Sequence, residues 1–468
     1  MFDRSLPGPE ELNSVSDTEL VSAISGWATA AAAAEARSYA AIAELIRRRG
    51  TGRHPDWACD DWDATAAEVS AALTIGHGRA GTTMDLALTV RDRLPNVGAL
   101  FLAGRIPTRL ITVIAERTML IRDPDALAAI DRLVADAATE WGPLTHYAVR
   151  QAVDLWVEQI DPDALRRVRD RVHNREFTVG HRDDATGTTS VWGRLLATDA
   201  AVLDERLSTM ARSVCEDDPR SLAQRRADAI GALAAGSTQL SCRCAAPDCP
   251  RASDDGRASS MVIHIVGGPA ALTGQPAAVI AGGSVVPTVL LAELVAHGAK
   301  VRVVTAPGAD AEPRYRPSTA LDEFVRMRDL TCRFPGCDRP AVHADLDHTV
   351  PYPAGATHPA DLKAYCRKHH LIKTFWPGFS DRQQPDGSIT MTTPAGRTYT
   401  TKPLSRLLFP GWDTTTAAAP HAHPATPTGA GRALMMPTRK HTRAVAREHR
   451  INAERAVNNA ERNIPPPF

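Results

Sequence analysis

The sequence predicts a mainly α N-terminal domain with a small α/β element, followed by a small metal-stapled C-terminal module and a disordered tail. Three observations carry this. Apolar residues recur at helical spacing through most of residues 10–235. Aromatics make up only 5% of the chain while alanine is abundant, a balance that favours helices packed closely through small side chains. Residues 332–373, CRFPGCDRPAVHADLDHTVPYPAGATHPADLKAYCRKHHLIK, gather three of the eight cysteines and five of the sixteen histidines, which marks that stretch as the chemical centre.

At 468 residues the chain exceeds one ordinary core, so several domains are expected. Lys+Arg equals Asp+Glu at 54 each, which removes any global electrostatic pull towards nucleic acid; a basic surface must be local. No apolar run is long enough to span a bilayer, and the opening MFDRSLPGPEEL lacks the basic-then-apolar order of a secretory signal. The cysteines sit in short spacings, which suits metal binding in a reducing compartment, so a cytoplasmic protein without membrane partners is expected.

The helical domain spans 1–235. Residues 10–49 read as one long helix, with Ser14 or Ser16 as its cap and Arg47, Arg48 and Arg49 in its last turn. Trp57 and Trp62 follow in a loop as core residues. Further helices are expected over 64–73, 78–94, 107–120, 124–141 and 145–160, with Pro107, Pro143 and Pro162 near helix starts. Charged stretches such as Arg91, Asp92, Arg93 and Asp131, Arg132 read as solvated faces. A hairpin from Glu176 turns near 184–187, and helices over 200–214 and 221–235 follow, the second holding Arg225, Arg226 and Asp228 in internal ion pairs.

Residues 236–306 form a Cys-rich loop and a small α/β element that completes this domain. Cys242, Cys244 and Cys249 could be three ligands of a metal, with His264 a conceivable fourth, though a flexible loop is the simpler reading. Strands at 261–266 and 300–304 flank a Gly282-Gly283 turn and a helix from Pro287. Residues 307–317, with three prolines, read as a linker. The C-terminal module then occupies 318–403, ending in a hairpin with turns at Asp386-Gly387 and at Pro394 to Gly396. Residues 404–468 read as a low-complexity, disordered and basic tail, whose last part, Arg439 to Asn463, is a solvated segment by default or else a short helix that touches phosphates.

Within the module, Cys332 and Cys337 flank a Pro335-Gly336 knuckle, and Cys366 and His369 are one helical turn apart. Together they form a Cys3His set of the kind that closes a tetrahedral structural zinc site. Between them, alternation at 345–348 suggests a strand with Asp345 and Asp347 on one face and His348 on the other. A loop bearing Pro351, Pro353 and Gly355 follows, then a helix from Pro359 carrying Asp361, Cys366, His369 and His370. The two adjacent histidines diverge by about 100° on a helix, so His369 faces the zinc and His370 another site. Asp347 and His370 can hold one divalent ion, and His348 can accept a proton from an attacking water. Arg367, Lys368 and Lys373 can engage backbone phosphates without reading sequence.

The pattern Cys-x4-Cys, Asp-His, a Pro- and Gly-bearing loop, then Cys-x2-His-His-x2-Lys resembles the HNH nuclease domain, a ββα-metal fold. The resemblance covers about residues 318–376. It implies a DNA endonuclease with His348 as general base, Asp347 and His370 as ligands of catalytic magnesium or manganese, and the four clip residues as a structural zinc site. Asp361 stands at the motif's middle position, normally Asn. An amide both donates and accepts, whereas an ionised Asp only accepts; Asp361 could instead coordinate the metal. The usual paired glycines are reduced to Ala354-Gly355. The helical part, its RRADA-bearing helix and the final hairpin also resemble an actinobacterial repeat family that couples a long domain of unknown function to a C-terminal HNH module. The competing readings are a zinc-stabilised nucleic-acid-binding module without cleavage and a protein-interaction scaffold.

Overall fold

A computed structural model describes residues 6–50, 52–140, 144–165, 175–183, 188–244, 246–257, 262–266, 277–280, 284–285, 291, 294–296, 298–420 and 435–463. The chain divides into two compact units, Met1–Val168 with Ala433–Phe468, and Arg169–Arg432.

The first unit opens with α1 (Asp17–Arg49). Of the two candidate caps Ser16 is used, in a capping box: its hydroxyl accepts from the Glu19 N–H, and the Glu19 carboxylate accepts from the Ser16 N–H at 2.7 Å. Then come α2 (Asp61–Leu73), capped by Asp60, and α3 (His77–Leu88), continued by a π-turn over Thr89–Arg93. Next is α4 (Pro95–Leu102), a helix the sequence reading missed although Pro95 occupies its first position. Pro107 caps α5 (Thr108–Thr118) and does not enter it. The unit continues with α6 (Pro124–Glu140) and α7 (His146–Ile160), the latter capped by Thr145. Trp141 and Pro143 lie outside the described residues.

Ile111, Ile114, Ile130, Val134, Val149 and Val153 form the main core, and Ala32 and Ala36 of α1 let Phe101 of α4 approach closely. Trp62 packs on a second cluster around Met84, while Trp57 stacks on His54 at 3.7 Å between ring centres. The solvated-face reading fails at Asp131, which is 1% exposed. Its carboxylate accepts from the backbone N–H groups of Asn96 at 2.9 Å and Val97 at 3.0 Å, satisfying the otherwise orphaned first turn of α4.

The second unit starts with an antiparallel pair, β1 (Glu176–Asp183) and β2 (Thr188–Arg194); its turn at 184–187 lies outside the described residues. The helices α8 (Ala197–Arg212) and α9 (Leu222–Ala234) follow, with Arg226 paired to Asp204 and Asp228 to Arg220 as internal ion pairs. A four-stranded sheet comprises β3 (Val262–Val266), β4 (Ala277–Ile280), β5 (Ser284–Val285) and β6 (Lys300–Val303), ordered β5-β4-β3-β6 with only β3 and β6 parallel. The expected turn at Gly282-Gly283, the start of the helix at Pro287 and the strand start at Met261 lie outside the described residues, while residues 291 and 294–296 of that helix are helical.

Next is α10 (Thr319–Asp329), capped by Ser318. Its Leu321, Phe324 and Val325 share one core with Val266, Val304, Leu362 and Phe409. Residues 307–317, read as a linker, are tied down at Glu312: its N–H donates to the Thr357 carbonyl at 2.9 Å and its carboxylate accepts from the Ser318 hydroxyl at 2.5 Å.

The remaining elements build the site. The strands β7 (Asp345–His348) and β8 (Leu362–Tyr365) pair antiparallel, His348 opposite Leu362, and lead into α11 (Arg367–Phe375). The expected helix from Pro359 is thus corrected: residues 362–365 hydrogen-bond to β7, and the helix starts only after Cys366, which caps it. Asp361 consequently lies in the turn before β8. A three-stranded meander, β9 (Ser380–Gln383), β10 (Ile389–Thr392) and β11 (Thr398–Thr401), and a short α12 (Ser405–Leu408) follow.

The last segment belongs to the first unit. Residues 421–434 of the low-complexity stretch lie outside the described residues, but α13 (Arg443–Arg462) is a packed helix and no solvated tail. Arg455 pairs with Asp161 at 2.8 Å, and the Asn458 amide donates to the Asp163 carbonyl at 2.6 Å. Arg439 and Arg443 reach Asp63 at 3.1 and 3.0 Å, so carboxylates at the start of α2 neutralise the basic segment. Among the described residues no helix is long and apolar enough to cross a membrane.

Candidate metal centre and adjoining polar site

Two sites border the β7–β8–α11 framework, one reached by His369 and the other by His370. In the first, Gly336 takes a positive φ of 78°, open to glycine without strain, and the Cys337 N–H donates to the Phe334 carbonyl at 3.0 Å. This knuckle presents Cys332 and Cys337 to the start of α11. The donor atoms of Cys332, Cys337, Cys366 and His369 all lie within 4.8 Å of one another. His369 Nδ1 is 3.5 Å from Cys332 Sγ and 3.4 Å from Cys366 Sγ, and Phe334 stacks on the imidazole at 4.0 Å. Burial, with the adjoining Cys337 and Cys366 thiols, pushes the Cys332 thiol well up. Three crowded thiols can ionise together only beside a cation, and this donor set could hold a metal such as zinc.

The second site gathers around Asp347. The strand alternation expected from the sequence is present: Asp345 and Asp347 both meet His370, whose Nδ1 is 2.8 Å from Asp345 Oδ2 and whose Nε2 is 3.3 Å from Asp347 Oδ1. His369 and His370 diverge as their helical spacing requires, one to each site. Lys363 and Lys373 approach the other oxygen of Asp347, at 3.0 and 2.9 Å. Burial alone would raise the Asp347 carboxyl; Lys363, His370 and Lys373 overcome it and hold the group well below its ordinary range. His370 moves up despite its burial because Asp347 and Asp345 favour its charged form.

His348 leaves β7 on the other face, as alternation demands. Its Nε2 is 3.0 Å from the Thr357 hydroxyl and its ring stacks on Tyr315 at 5.4 Å. Burial lowers its pKa below the ordinary histidine value. Asp361 accepts from the Val350 N–H at 3.0 Å through Oδ1, while Oδ2 has no hydrogen-bond partner among the described residues. Burial pushes its carboxyl up to about 6. Gly355 is packed against it: a Cβ there would lie 2.6 Å from Asp361 Oδ2 and 1.8 Å from the Val350 carbonyl oxygen.

The three basic residues assigned to phosphates separate. Arg367 is exposed and 3.2 Å from Asp345, and Lys368 is half-buried beside it. Lys373 is 11% exposed and turned inward, donating to Asp347 and to the His348 carbonyl at 2.9 Å.

Sequence reasoning missed Lys363, which is fully buried between Asp347 and Asp381 at 3.0 Å from each, and Tyr365, whose hydroxyl donates to Asp381 at 2.7 Å. Reading 362–365 as helix hid the alternation that sends Lys363 and Tyr365 to this face. The Cys-rich loop also needs correction: Cys242, Cys244 and Cys249 converge on Cys215, and the conceivable fourth ligand His264 sits on β3, 3.9 Å from Glu323.

Residues 27–329 match the family described as a domain of unknown function, DUF222. The chain is 51% identical to uncharacterized protein Rv2100 of Mycobacterium tuberculosis (strain ATCC 25618 / H37Rv), an alignment covering 100% of this chain and 93% of that protein. It is 50% identical to uncharacterized protein Rv3776 of the same strain, over 100% of this chain and 95% of the relative. No solved structure matches it significantly. With well over half of its length matched by the family and near-complete coverage of these relatives, the chain belongs to the DUF222 family.

Proposed function

We propose that the C-terminal module is an HNH-type, metal-dependent DNA endonuclease carried by the DUF222 region. The observation that carries this is the 3.3 Å separation of Asp347 Oδ1 on β7 and His370 Nε2 on α11. Two ligands at right angles about an ion with bonds near 2.1 Å stand about 3.0 Å apart, so this pair fits one magnesium or manganese ion. Bound there, such an ion supplies charge neutralisation at the phosphate and the leaving oxygen.

The chain's own residues do the rest. Thr357 hydroxyl is 3.4 Å from the Tyr315 carbonyl and donates towards it, so it accepts from His348 Nε2–H and leaves Nδ1 free to take a proton from water. Low basicity keeps His348 neutral and ready at physiological pH. Lys363 and Lys373 keep Asp347 ionised and fix its orientation. Arg367 and Lys368 engage the DNA backbone, and Lys373 serves Asp347 in place of phosphate. Cys332, Cys337, Cys366 and His369 hold a structural zinc that fixes α11 against β8.

His348→Ala is expected to abolish nicking of supercoiled plasmid in magnesium or manganese while the far-UV spectrum stays native; equal nicking by both proteins would remove His348 as the base. A second reading, a zinc-stabilised nucleic-acid-binding module without cleavage, draws on Asp361, whose unpartnered oxygen stands where an amide would donate. Retained DNA binding with no cleavage under any metal would favour it.

A further inference from the structure

We propose that Cys215, Cys242, Cys244 and Cys249 form a tetrathiolate structural zinc site within the DUF222 region, separate from the C-terminal Cys3His centre. Their spacing is Cys-x26-Cys-x-Cys-x4-Cys. Cys215 follows α8 and the other three lie on the loop after α9, yet all four sulfurs are within 4.8 Å of one another. Cys215 and Cys249 approach to 3.1 Å. A zinc ion with bonds near 2.3 Å holds its thiolates about 3.8 Å apart at the tetrahedral edges, a separation inside the range this cluster spans. Four sulfurs converging on one point also differ from two disulfides, each of which would draw one pair to about 2.0 Å and leave the pairs independent.

The surrounding chain is arranged to present these sulfurs. The Cys244 N–H points at Cys242 Sγ from 3.5 Å, so the chain curls around that sulfur in place of alternating as an extended Cys-x-Cys would. Asp218, just beyond Cys215, accepts from the Arg243 N–H at 2.9 Å between Cys242 and Cys244, which locks the two ligand segments to each other. Arg220 forks onto Asp218 at 2.7 Å and also donates to the Ser241 carbonyl at 2.7 Å. These contacts position the ligand backbones in the way outer partners of a metal site do. The apolar cluster beneath is small, with Leu207, Met210, Val214, Ala229, Ala232 and Leu240 at its heart. A core of that size between two helices and a long loop needs a staple.

The test is metal content of the full-length protein purified without chelator. Wild type is expected to carry two zinc ions per chain, Cys215→Ser and Cys337→Ser one each, and the double variant none. Cobalt exchange into Cys337→Ser should give the intense visible bands of a tetrahedral thiolate site, absent from the double variant. Should Cys215→Ser fail to fold, differential alkylation of the wild type decides: chelator should expose Cys215, Cys242, Cys244 and Cys249 to reagent together. Zinc content unchanged by Cys215→Ser, no zinc left in Cys337→Ser, or disulfide-linked peptides among these four cysteines would overturn the proposal.

Discussion

Lys363 and Asp347 face each other across 3.0 Å, on adjacent strands and with the lysine wholly enclosed. Asp381 completes the arrangement from β9 at 3.0 Å. Removing the cation would leave two buried carboxylates facing one another. Lys363→Met is therefore expected to cost about 3–5 kcal/mol of stability, read from urea unfolding at neutral pH. A loss below 1 kcal/mol would show that Lys373 alone suffices.

Asp361 gives a pH signature. Its folded-state carboxyl is pushed up to about 6 from an ordinary 3.8 by burial. The fold thus holds this proton more tightly than the unfolded chain does. The resulting stabilisation is complete below about pH 4 and is lost as pH rises through about 6. Asp361→Asn should remove that dependence and stabilise the protein at pH 7.5 by on the order of 2 kcal/mol, because the amide can donate where the carboxylate cannot. Denaturant midpoints measured from pH 4.5 to 7.5 check both the sign and the flattening.

The lowered basicity of His348 sets the acid limb of the proposed cleavage. Burial moves its pKa below 6.5, the ordinary value, so single-turnover cleavage should persist on the acid side of that value and fail only at more acidic pH. A limb lying above pH 7 would point to a different base.

Cys337→Ser should lower bound zinc by one equivalent and destabilise the second unit by on the order of 3 kcal/mol or more. Metal analysis and thermal melting of the same preparation are the paired measurements; stability lost without metal loss would assign the thiol to packing alone.

The C-terminal helix supplies a prediction for the first unit. Asp60 and Asp63 are 6% and 2% exposed, and Arg439 and Arg443 lie beside them. An Arg439→Met, Arg443→Met double variant should lower the unit's stability by about 1–3 kcal/mol, seen as an earlier thermal transition.

The clip residues were legible because both pairs are close in sequence and their spacing alone aims them inward. Asp345, Asp347 and His348 were legible from strand alternation. Lys363 was not: four residues, Leu-Lys-Ala-Tyr, carry equal helix and strand signals, and pairing with β7 decides between them. Cys215 was missed because 26 residues and all of α9 separate it from Cys242. The basic last helix looked solvated because its carboxylate partners lie some 380 positions earlier, as in Arg443 with Asp60 and Asp63. Asp131 shows the same limit, since only folding reveals whose backbone a charged side chain caps.

Phe324 and Val325 lie inside the DUF222 match, which ends at Asp329, yet they pack with Leu362 on the strand that presents the metal-site residues. Asp329 itself accepts from the Ala364 N–H at 2.8 Å. In this chain the last helix of the matched region is therefore a wall of the neighbouring module. A fragment cut at the sequence boundary after 329 would take the hairpin and leave behind the part of the core that β8 packs on.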